Sequence, residues 1–406
     1  MRSWSAVRRG PVRRTAAGTV AAVAVLVLGG CSSDGPNLVT PRPSGSGASP
    51  SAPSPSGGTA GTTAPPASPS ESAAPAKGTA KVTGTVASGL DTPWGVAMLP
   101  DGTMLVGSRD TGRIVRVDPV KKTTSAVGTV PGVQAGGEGG LLGLAVSPDF
   151  GSDRLVYAYF TTASDNRIVR MLYDTSHAEG QQLGAPDTIL RGIPSGTIHN
   201  GGRIAFGPDK MLYAGTGETN QRGLAQDKSS LAGKILRMTP DGQPPKDNPT
   251  PGSLDYSDGH RNVQGLAWDD KGRLWASEFG QDTWDELNLI EPGKNYGWPV
   301  VEGIAHRAGY VDPVVQWHTD QASPSGIAYA AGSIWMAALH GARLWRIPLD
   351  GAHAAAAPQS FFTGVYGRLR TVVAADDGTL YLTTSNTDGR GTPAKGDDRI
   401  LHLTVS

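Results

Sequence analysis

The stretch GLAWDDKGRLWASEFG, residues 265–280, joins an apolar strand to a second strand with alternating apolar positions through an Asp/Lys/Gly turn. Five other stretches follow the same plan: GVAMLPDGTMLVGSRDTGRIVRVD from Gly95, GLAVSPDFGSDRLVYAYF from Gly143, RIAFGPDKMLYAGTGE from Arg203, GIAYAAGSIWMAALHGARLWRI from Gly326, and TVVAADDGTLYLTTSN from Thr371. Their first residues are 48, 60, 62, 61 and 45 positions apart. A recurring unit of this length, with period-2 alternation and tight turns, is typical of one four-stranded blade of a β-propeller.

The six copies predict an all-β fold, a six-bladed β-propeller. A β-sandwich with accidental similarity is the alternative, but six copies in phase favour the propeller. We expect the last strand, Arg399–Val405, to pair with the first strand near Lys81–Val86. This pairing would close the ring, because an open propeller leaves two bare sheet edges.

The first 30 residues have the layout of a lipoprotein signal peptide, in which arginines precede an apolar run and small residues precede Cys31. Cys31 is the only cysteine of the chain, and we interpret it as the lipidation site rather than as a chance thiol. Residues 31–79 are rich in Ser, Pro, Gly and Ala and are predicted to be a disordered linker. The propeller then spans 80–406, and we expect it to be exported and lipid-anchored to the outer face of the cell membrane.

The charges of the chain are balanced, with 36 basic and 36 acidic residues. Nothing therefore indicates nucleic-acid binding through a basic field. The sequence also lacks a Gly-x-Ser-x-Gly elbow and His/Cys spacing typical of zinc, so acyl transfer and zinc chemistry are poorly supported.

Polar residues lie directly before the repeated strands, and equivalent positions of a propeller surround the same axis. We therefore expect these side chains to converge on one end of the central channel. Each has a possible structural use, such as a turn cap or a backbone hydrogen bond, but together they predict a polar site. A neutral histidine there can accept a proton, and arginines can bind an anion. The residues are Asp91, Glu138, His199, Arg261, Asn262, Arg368 and Arg370.

A second cluster is rich in oxygen atoms and comprises residues 285–288 and 293–299. Carboxylates, amide oxygens and backbone carbonyls are hard ligands suited to Ca²⁺, although a solvated loop with Asx turns is the alternative. The pair Asp397-Asp398 is predicted to be a surface turn.

Several of these motifs resemble a known family. They are GLLGLA with SPDF at 140–150, His199 with Gly202-Arg203, GKILR at 233–237, GHRNVQGL at 259–266, DELNLI through GWP at 285–299, and RLR at 368–370. In this order, over about 80–406, they are similar to the pyrroloquinoline quinone (PQQ)-dependent aldose dehydrogenases, also called the glucose/sorbosone dehydrogenase family. The resemblance implies a six-bladed quinoprotein that oxidises the C1 hydroxyl of an aldose to a lactone, with hydride transfer to PQQ assisted by Ca²⁺.

The resemblance also implies roles for individual residues. His199 would be the base, and Arg261 and Asn262 would contact the reactive oxygens of the quinone. The remaining implied roles are quinone carboxylate binding by Arg368 and Arg370, substrate contact by Glu138, a quinone-bound Ca²⁺ on the backbone carbonyls of Gly280 and Gln281, and a second Ca²⁺ on Glu286 and Tyr296 with the adjacent Asp285.

Three positions depart from the family pattern. His340 stands where a quinone-contacting Lys is usual, Gln281 where a Pro is usual, and Ile198 where some members place an acidic residue before the catalytic His. These departures leave two alternatives open: a non-catalytic propeller that binds ligands on the cell surface, and a Ca²⁺-dependent propeller lactonase. For the dehydrogenase, anchoring at a membrane suggests a quinone or a cytochrome as electron acceptor.

Overall fold

The structure is a computed structural model and describes residues 73–406. The predicted signal peptide, Cys31 and most of the predicted linker lie outside the described residues. In chain order the strands are β1 (Ala80–Ala87), β2 (Pro93–Met98), β3 (Met104–Ser108), β4 (Arg113–Asp118), β5 (Thr123–Thr129), β6 (Leu141–Val146), β7 (Leu155–Thr161), β8 (Asn166–Leu172), β9 (Asp187–Ile193), β10 (Ile204–Phe206), β11 (Leu212–Gly215), β12 (Lys234–Met238), β13 (Asp255–Asp258), β14 (Val263–Trp268), β15 (Leu274–Glu278), β16 (Trp284–Ile290), β17 (Val315–His318), β18 (Pro324–Ala330), β19 (Ser333–Ala338), β20 (Arg343–Asp350), β21 (His353–Ala354), β22 (Gln359–Phe361), β23 (Leu369–Ala374), β24 (Leu380–Thr384) and β25 (Ile400–Val405).

These strands form six antiparallel sheets, which confirms the predicted six-bladed propeller. Blades one to five are β2–β5, β6–β9, β10–β13, β14–β17 and β18–β21, and β22 also pairs with β20. The sixth blade has the order β1-β25-β24-β23. The innermost strands β2, β6, β10, β14, β18 and β23 contact one another in turn, and β23 returns to β2. Among residues 73–406 the only helical turns are α1 (Phe150–Asp153) and a 3₁₀ turn (Arg222–Ala225), and no helix there has the length and apolarity to cross a membrane.

Ring closure follows the prediction. Strand β1 pairs antiparallel with β25, so that Lys81 lies opposite Thr404 and Thr85 lies opposite Leu401. The first strand of the fold therefore becomes the outer strand of the last blade. The pairing thus joins the first and last strands of the fold in one blade and closes the ring.

Four of the copies begin with glycine because a side chain at this position would clash with the neighbouring inner strand. A Cβ at Gly95 would clash with the carbonyl oxygen of Leu142 on the next inner strand, and one at Gly143 would clash with that of Gly202. The inner strands pass too closely for a side chain at these points. The core lies between neighbouring blades, where apolar residues of one sheet pack on the next, as Ala97 and Leu105 of blade one do with Leu144 and Val156 of blade two.

The folded part begins before the predicted boundary at residue 79. Ala74 N donates to Leu349 O at 2.8 Å, and the carbonyl of Pro75 accepts from the guanidinium of Arg346 at 2.9 Å. Gly78 N donates to the Gln359 side chain at 2.8 Å. The last residues of the predicted linker are therefore ordered against blade five by backbone hydrogen bonds, which composition does not reveal.

The prediction of a surface turn at Asp397-Asp398 is wrong, because Asp398 is fully buried. Its carboxylate accepts from the Thr384 hydroxyl at 2.9 Å and from the backbone N of Asn386 and Thr387 at 2.6 and 3.1 Å. These bonds fix the loop between β24 and β25. That loop carries two of the residues that line the functional cavity.

Candidate active site

A cavity of about 300 Å³ opens at the end of the channel where the inner strands begin. Four of the residues predicted from the sequence line it: Glu138, His340, Arg368 and Arg370. The prediction missed further lining residues, namely Trp94, Arg109, Gln264, Asp388 and Arg390. His199, Arg261 and Asn262 lie beside it, since their neighbours Asn200, Gly201 and Phe279 form part of its wall. Asp91, the remaining predicted residue, is exposed and does not line the cavity.

His199 is buried, with 7% of its surface exposed, and its backbone φ of 55° lies in the left-handed region. Such a conformation costs about 1 kcal/mol or more for a non-glycine residue and persists where surrounding contacts impose it. Here the backbone N of His199 donates to Glu138 Oε2 at 2.9 Å. Strained residues of this kind cluster at functional sites, and the strain fixes the direction of this imidazole.

Both ring nitrogens of His199 have defined partners. Nδ1 is 2.5 Å from Glu218 Oε1, and Nε2 is 3.0 Å from Arg261 Nη2. A guanidinium can only donate, so Nε2 is the acceptor and the ring proton lies on Nδ1, facing the carboxylate. The imidazole is therefore neutral with a free-base Nε2, the form required of a general base.

Sequence reasoning missed Glu218, which supplies a carboxylate to the histidine although Ile198 stands where some family members have an acidic residue. Glu218 follows β11 and is 1% exposed. Its approach requires Gly217, where a Cβ would clash with the carbonyl of His199. Glu218 is the last residue of the third copy, in its final Gly-Glu, and therefore lies after the start of the copy rather than before it.

Arg261 and Asn262 hold buried donors that lack acceptors. Arg261 donates from its backbone N to the Glu278 carboxylate and from Nη1 to Phe279 O at 3.2 Å. Its Nε and the Asn262 Nδ2 have no hydrogen-bond partner among the described residues. Burial lowers the pKa of Arg261. Unpaired buried donors are rare and costly, so an acceptor-rich ligand would complement this wall.

Arg368 and Arg370 share one carboxylate, that of the missed residue Asp388. Arg368 Nε lies 2.9 Å from Asp388 Oδ2, and Arg370 Nη2 lies 3.9 Å from the same atom. Burial lowers the pKa of Arg370 to about 9, although Asp388 acts against this shift. The Nε of Arg370 also lacks a partner among the described residues.

A second ion pair crosses the cavity. Arg390 Nη1 is 2.9 Å from Glu138 Oε1, which joins the loop before β6 to the loop between β24 and β25. The cavity lining carries four arginines, of which Arg109 is the fourth, against the carboxylates of Glu138 and Asp388. The lining is therefore positive by two charges, which suits an anionic ligand.

The loop containing Gly280 and Gln281 is held by two carboxylates. Asp285 accepts from Gly280 N at 2.9 Å and from Ser323 N at 2.6 Å, and Glu302 accepts from Gln281 N at 2.8 Å. Both oxygens of Asp285 thus bind peptide N–H groups, so it orders this loop rather than offering a free metal ligand. Within residues 73–406 no donor bonds the carbonyls of Gly280 and Gln281, which leaves them open to a cation.

The residues implied for a second Ca²⁺ lie in blade four. Glu286 on β16 lies opposite Glu278 on β15, and it accepts from Gly303 N at 2.7 Å and Asn288 Nδ2 at 3.1 Å. Burial and the neighbouring Glu278 raise the pKa of Glu286 to about 8. The Tyr296 hydroxyl donates to Leu289 O at 2.6 Å and accepts from Glu291 N at 2.8 Å, so its backbone is the better candidate for a cation. No group of three His, Cys, Asp or Glu side chains in residues 73–406 is arranged to hold a metal ion.

His340, the main departure from the family pattern, lies exposed on the cavity rim. Its Nδ1 is 3.2 Å from the carbonyl of Thr319, so Nδ1 donates and carries the ring proton. An imidazole bonded in this way therefore stands on the rim where the family usually has a lysine.

Comparison with known proteins gives a family for this chain. The sequence profile described as Glucose / Sorbosone dehydrogenase matches residues 90–394. A solved structure, the PQQ-bound form of an aldose sugar dehydrogenase from Streptomyces coelicolor, is 67% identical with a TM-score of 0.82, and the match covers 82% of this chain and 100% of that one.

Two curated relatives are more distant. Quinoprotein glucose dehydrogenase B of Acinetobacter calcoaceticus is 34% identical over 257 residues, covering 55% of this chain and 54% of that protein. An aldose sugar dehydrogenase of Escherichia coli is 33% identical over 263 residues, covering 59% of this chain and 71% of the relative. The match thus spans about half the length of the first and over two thirds of the second.

Proposed function

Because this chain belongs to the glucose/sorbosone dehydrogenase family, we propose that it is a PQQ-dependent aldose dehydrogenase that oxidises the C1 hydroxyl of a sugar. One observation carries the proposal: a free-base imidazole, oriented by Glu218, lies beside a cavity whose lining includes four arginines. PQQ is an orthoquinone with three carboxylates, and it therefore presents many hydrogen-bond acceptors.

The donors of the site fit such a group. Arg368 and Arg370 would hold its carboxylates, and Arg261 and Asn262 offer Nε and Nδ2 to its oxygens, the donors that otherwise lack partners. The open carbonyls of Gly280 and Gln281 would hold a Ca²⁺ beside it. When bound, the quinone accepts a hydride and the Ca²⁺ polarises its carbonyl as a Lewis acid.

The protein's own part in the reaction is proton removal at a fixed position. His199 Nε2 takes the proton of the C1 hydroxyl when that hydroxyl replaces Arg261 as its donor. Glu218, 2.5 Å from Nδ1, stabilises the imidazolium that results, and the Glu138 carboxylate holds the His199 backbone in place. General-base catalysis of this kind contributes roughly 10²–10⁴-fold to rate.

Two facing carboxylates in blade four favour a second cation site there. Glu286 and Glu278 lie opposite each other, and Asn288 Oδ1 has no partner among the described residues. We propose that Ca²⁺ binds Glu286 and the Tyr296 backbone, where it would relieve the repulsion between the two carboxylates.

Reconstitution tests the function. The purified full-length chain is mixed with PQQ and Ca²⁺, and dye reduction is followed with a panel of aldoses. We expect turnover that requires both PQQ and Ca²⁺. PQQ binding without dye reduction by any aldose would instead favour a binding propeller, and lactone hydrolysis without PQQ would favour a lactonase.

We also propose that the enzyme is exported, anchored through Cys31, and passes electrons to a membrane quinone or a cytochrome. The leader pattern and the single cysteine of the chain support this location. In cells, the full chain should partition into detergent, and Cys31→Ser should release it into the aqueous phase. Aqueous partitioning of both proteins would contradict the anchor.

A further inference from the structure

Arg203 lies beneath the cofactor cavity, directly before β10 in the third blade. It is buried, and its guanidinium carbon is 4.3 Å from the centre of the Trp94 ring. The guanidinium of Arg370 lies 5.5 Å from the same ring centre. Trp94 lines the cofactor cavity, whereas Arg203 lines a second cavity of about 250 Å³ further along the channel. The two residues therefore form a layer between the two cavities.

Arg203 is also connected to residues of the site by hydrogen bonds. Its Nε donates to the carbonyl of Gln264 at 2.8 Å, and the Gln264 side chain accepts from Arg370 at 3.2 Å. The Gln264 amide in turn donates to Asn262 Oδ1 at 3.1 Å. Arg370 and Asn262, which are both proposed to contact the quinone, are thus each linked to Arg203 through a single residue, Gln264.

The charge of Arg203 has no anionic partner among the residues that the structure describes. Its acceptors are the Gln264 carbonyl and the Thr371 hydroxyl, which lies 3.1 Å from Nη2. Burial and the nearby Arg370 lower the pKa of Arg203 to about 9. A buried cation with neutral acceptors is expensive, and the carboxylate nearest to Arg370 is already shared with Arg368.

We propose that Arg203 is a positioning residue for the anionic cofactor. Its uncompensated charge makes the floor of the cavity positive, and its bonds to Gln264 hold Arg370 and Asn262 in place. A carboxylated quinone bound above supplies the missing negative charge. The proposal rests on the proposed function, because PQQ is the anion in question.

Two substitutions distinguish a packing role of Arg203 in the channel from a role of its charge. Arg203→Met removes the charge and keeps most of the apolar contact, while Arg203→Lys keeps the charge. Arg346 is a matched control, since it is also fully buried with neutral acceptors, Gln359 Oε1 and the Pro75 carbonyl, but lies in blade five outside the cavity lining.

The measurement is the dissociation constant of PQQ, determined by calorimetry on the full-length chain in the absence of sugar. We expect R203M to weaken PQQ binding about tenfold or more, and R346M to change it less than about twofold. R203K should lose less than about tenfold, because lysine keeps the charge although it cannot make both hydrogen bonds of the guanidinium. Circular dichroism establishes that each variant is folded.

The outcomes separate this proposal from the proposed function. Failure of the wild-type chain to bind PQQ would refute the function itself. Tight binding by wild type and equally tight binding by R203M would overturn the role of Arg203. If R203M does not fold, R203K decides, because a tenfold loss in folded R203K would contradict a role based on charge.

Discussion

His199 Nδ1 lies 2.5 Å from Glu218 Oε1, although the two residues are 19 positions apart. The next blade repeats the arrangement, where His260 Nδ1 is 2.8 Å from Glu278 Oε2 across 18 positions. The two pairs differ at Nε2: that of His260 contacts the buried Ser257 hydroxyl, whereas that of His199 lies beside the cavity with Arg261 as its partner. The His260–Glu278 pair thus has a structural role, whereas the equivalent pair one blade earlier, His199–Glu218, is placed for catalysis.

Glu218→Gln tests the first pair. The amide can still accept from Nδ1–H, but it cannot stabilise an imidazolium as a carboxylate does. We expect kcat to fall roughly 10²–10³-fold while PQQ affinity changes little. Steady-state dye reduction with saturating PQQ measures the loss, and calorimetric PQQ binding is the control. An unchanged kcat would remove Glu218 from the mechanism.

Arg390→Gln tests the ion pair across the cavity. Without Arg390, the Oε1 of Glu138 loses its partner at 2.9 Å, and only the bond from the His199 backbone N to Oε2 still holds this carboxylate. We expect the KM for the sugar to rise roughly threefold to tenfold with kcat nearly unchanged. Lys395→Gln, an exposed change in the same loop, is the matched control and should have no effect. A KM that stays constant or falls in R390Q would show that the pair does not support substrate binding.

Asp388→Asn tests the shared carboxylate through pH. Burial alone would raise the pKa of Asp388, but Arg368, the backbone N–H of Arg390 and Arg370 outweigh it, so that its pKa is lowered. A carboxyl with a lowered pKa stabilises the fold at pH values above its unfolded pKa of about 3.9, and this contribution is lost as pH falls through the folded pKa.

Urea unfolding of the PQQ-free protein should therefore show wild type losing stability below about pH 4 more steeply than D388N. Parallel pH profiles of the two proteins would mean that Asp388 contributes nothing to acid sensitivity.

His340→Lys tests whether the histidine that replaces the family's usual lysine on the cavity rim affects cofactor binding. A lysine places an ammonium group on a longer side chain at this exposed position of the cavity lining. We expect PQQ affinity to increase roughly threefold to tenfold. His306→Lys, the same exchange at an exposed position outside the cavity lining, should leave affinity unchanged. Equal affinity of H340K and wild type would mean that the departure has no consequence for the cofactor.

The sequence predicts the fold well because the repeat records a steric constraint. Gly95, Gly143, Gly265 and Gly326 begin their copies because neighbouring inner strands leave no room for a Cβ. The start of each copy marks one position per blade, which is a constrained glycine in four of the six, so residues counted back from it lie on one rim. Glu138, Arg368 and Arg370 were found in this way.

Three of the residues missed by sequence analysis, Glu218, Asp388 and Arg390, lie after the start of a copy, where no such marker exists. Asp388 and Arg390 reach the cavity on the loop between β24 and β25, which the buried carboxylate of Asp398 folds inward. Glu218 reaches His199 only because Gly217 lets two chain segments approach closely. Such contacts depend on how loops of different blades meet in space, and composition and periodicity do not encode this.

The most direct measurement of the central claim is a single-turnover reaction without dye. The full-length chain, loaded with PQQ and Ca²⁺, is mixed anaerobically with an aldose, and the absorbance of the bound quinone is followed. The account predicts stoichiometric reduction of the quinone by wild type, and in His199→Ala undiminished PQQ binding with reduction slowed at least about 10²-fold. Reduction by H199A at the wild-type rate, or an unchanged quinone spectrum in wild type with every aldose, would contradict it.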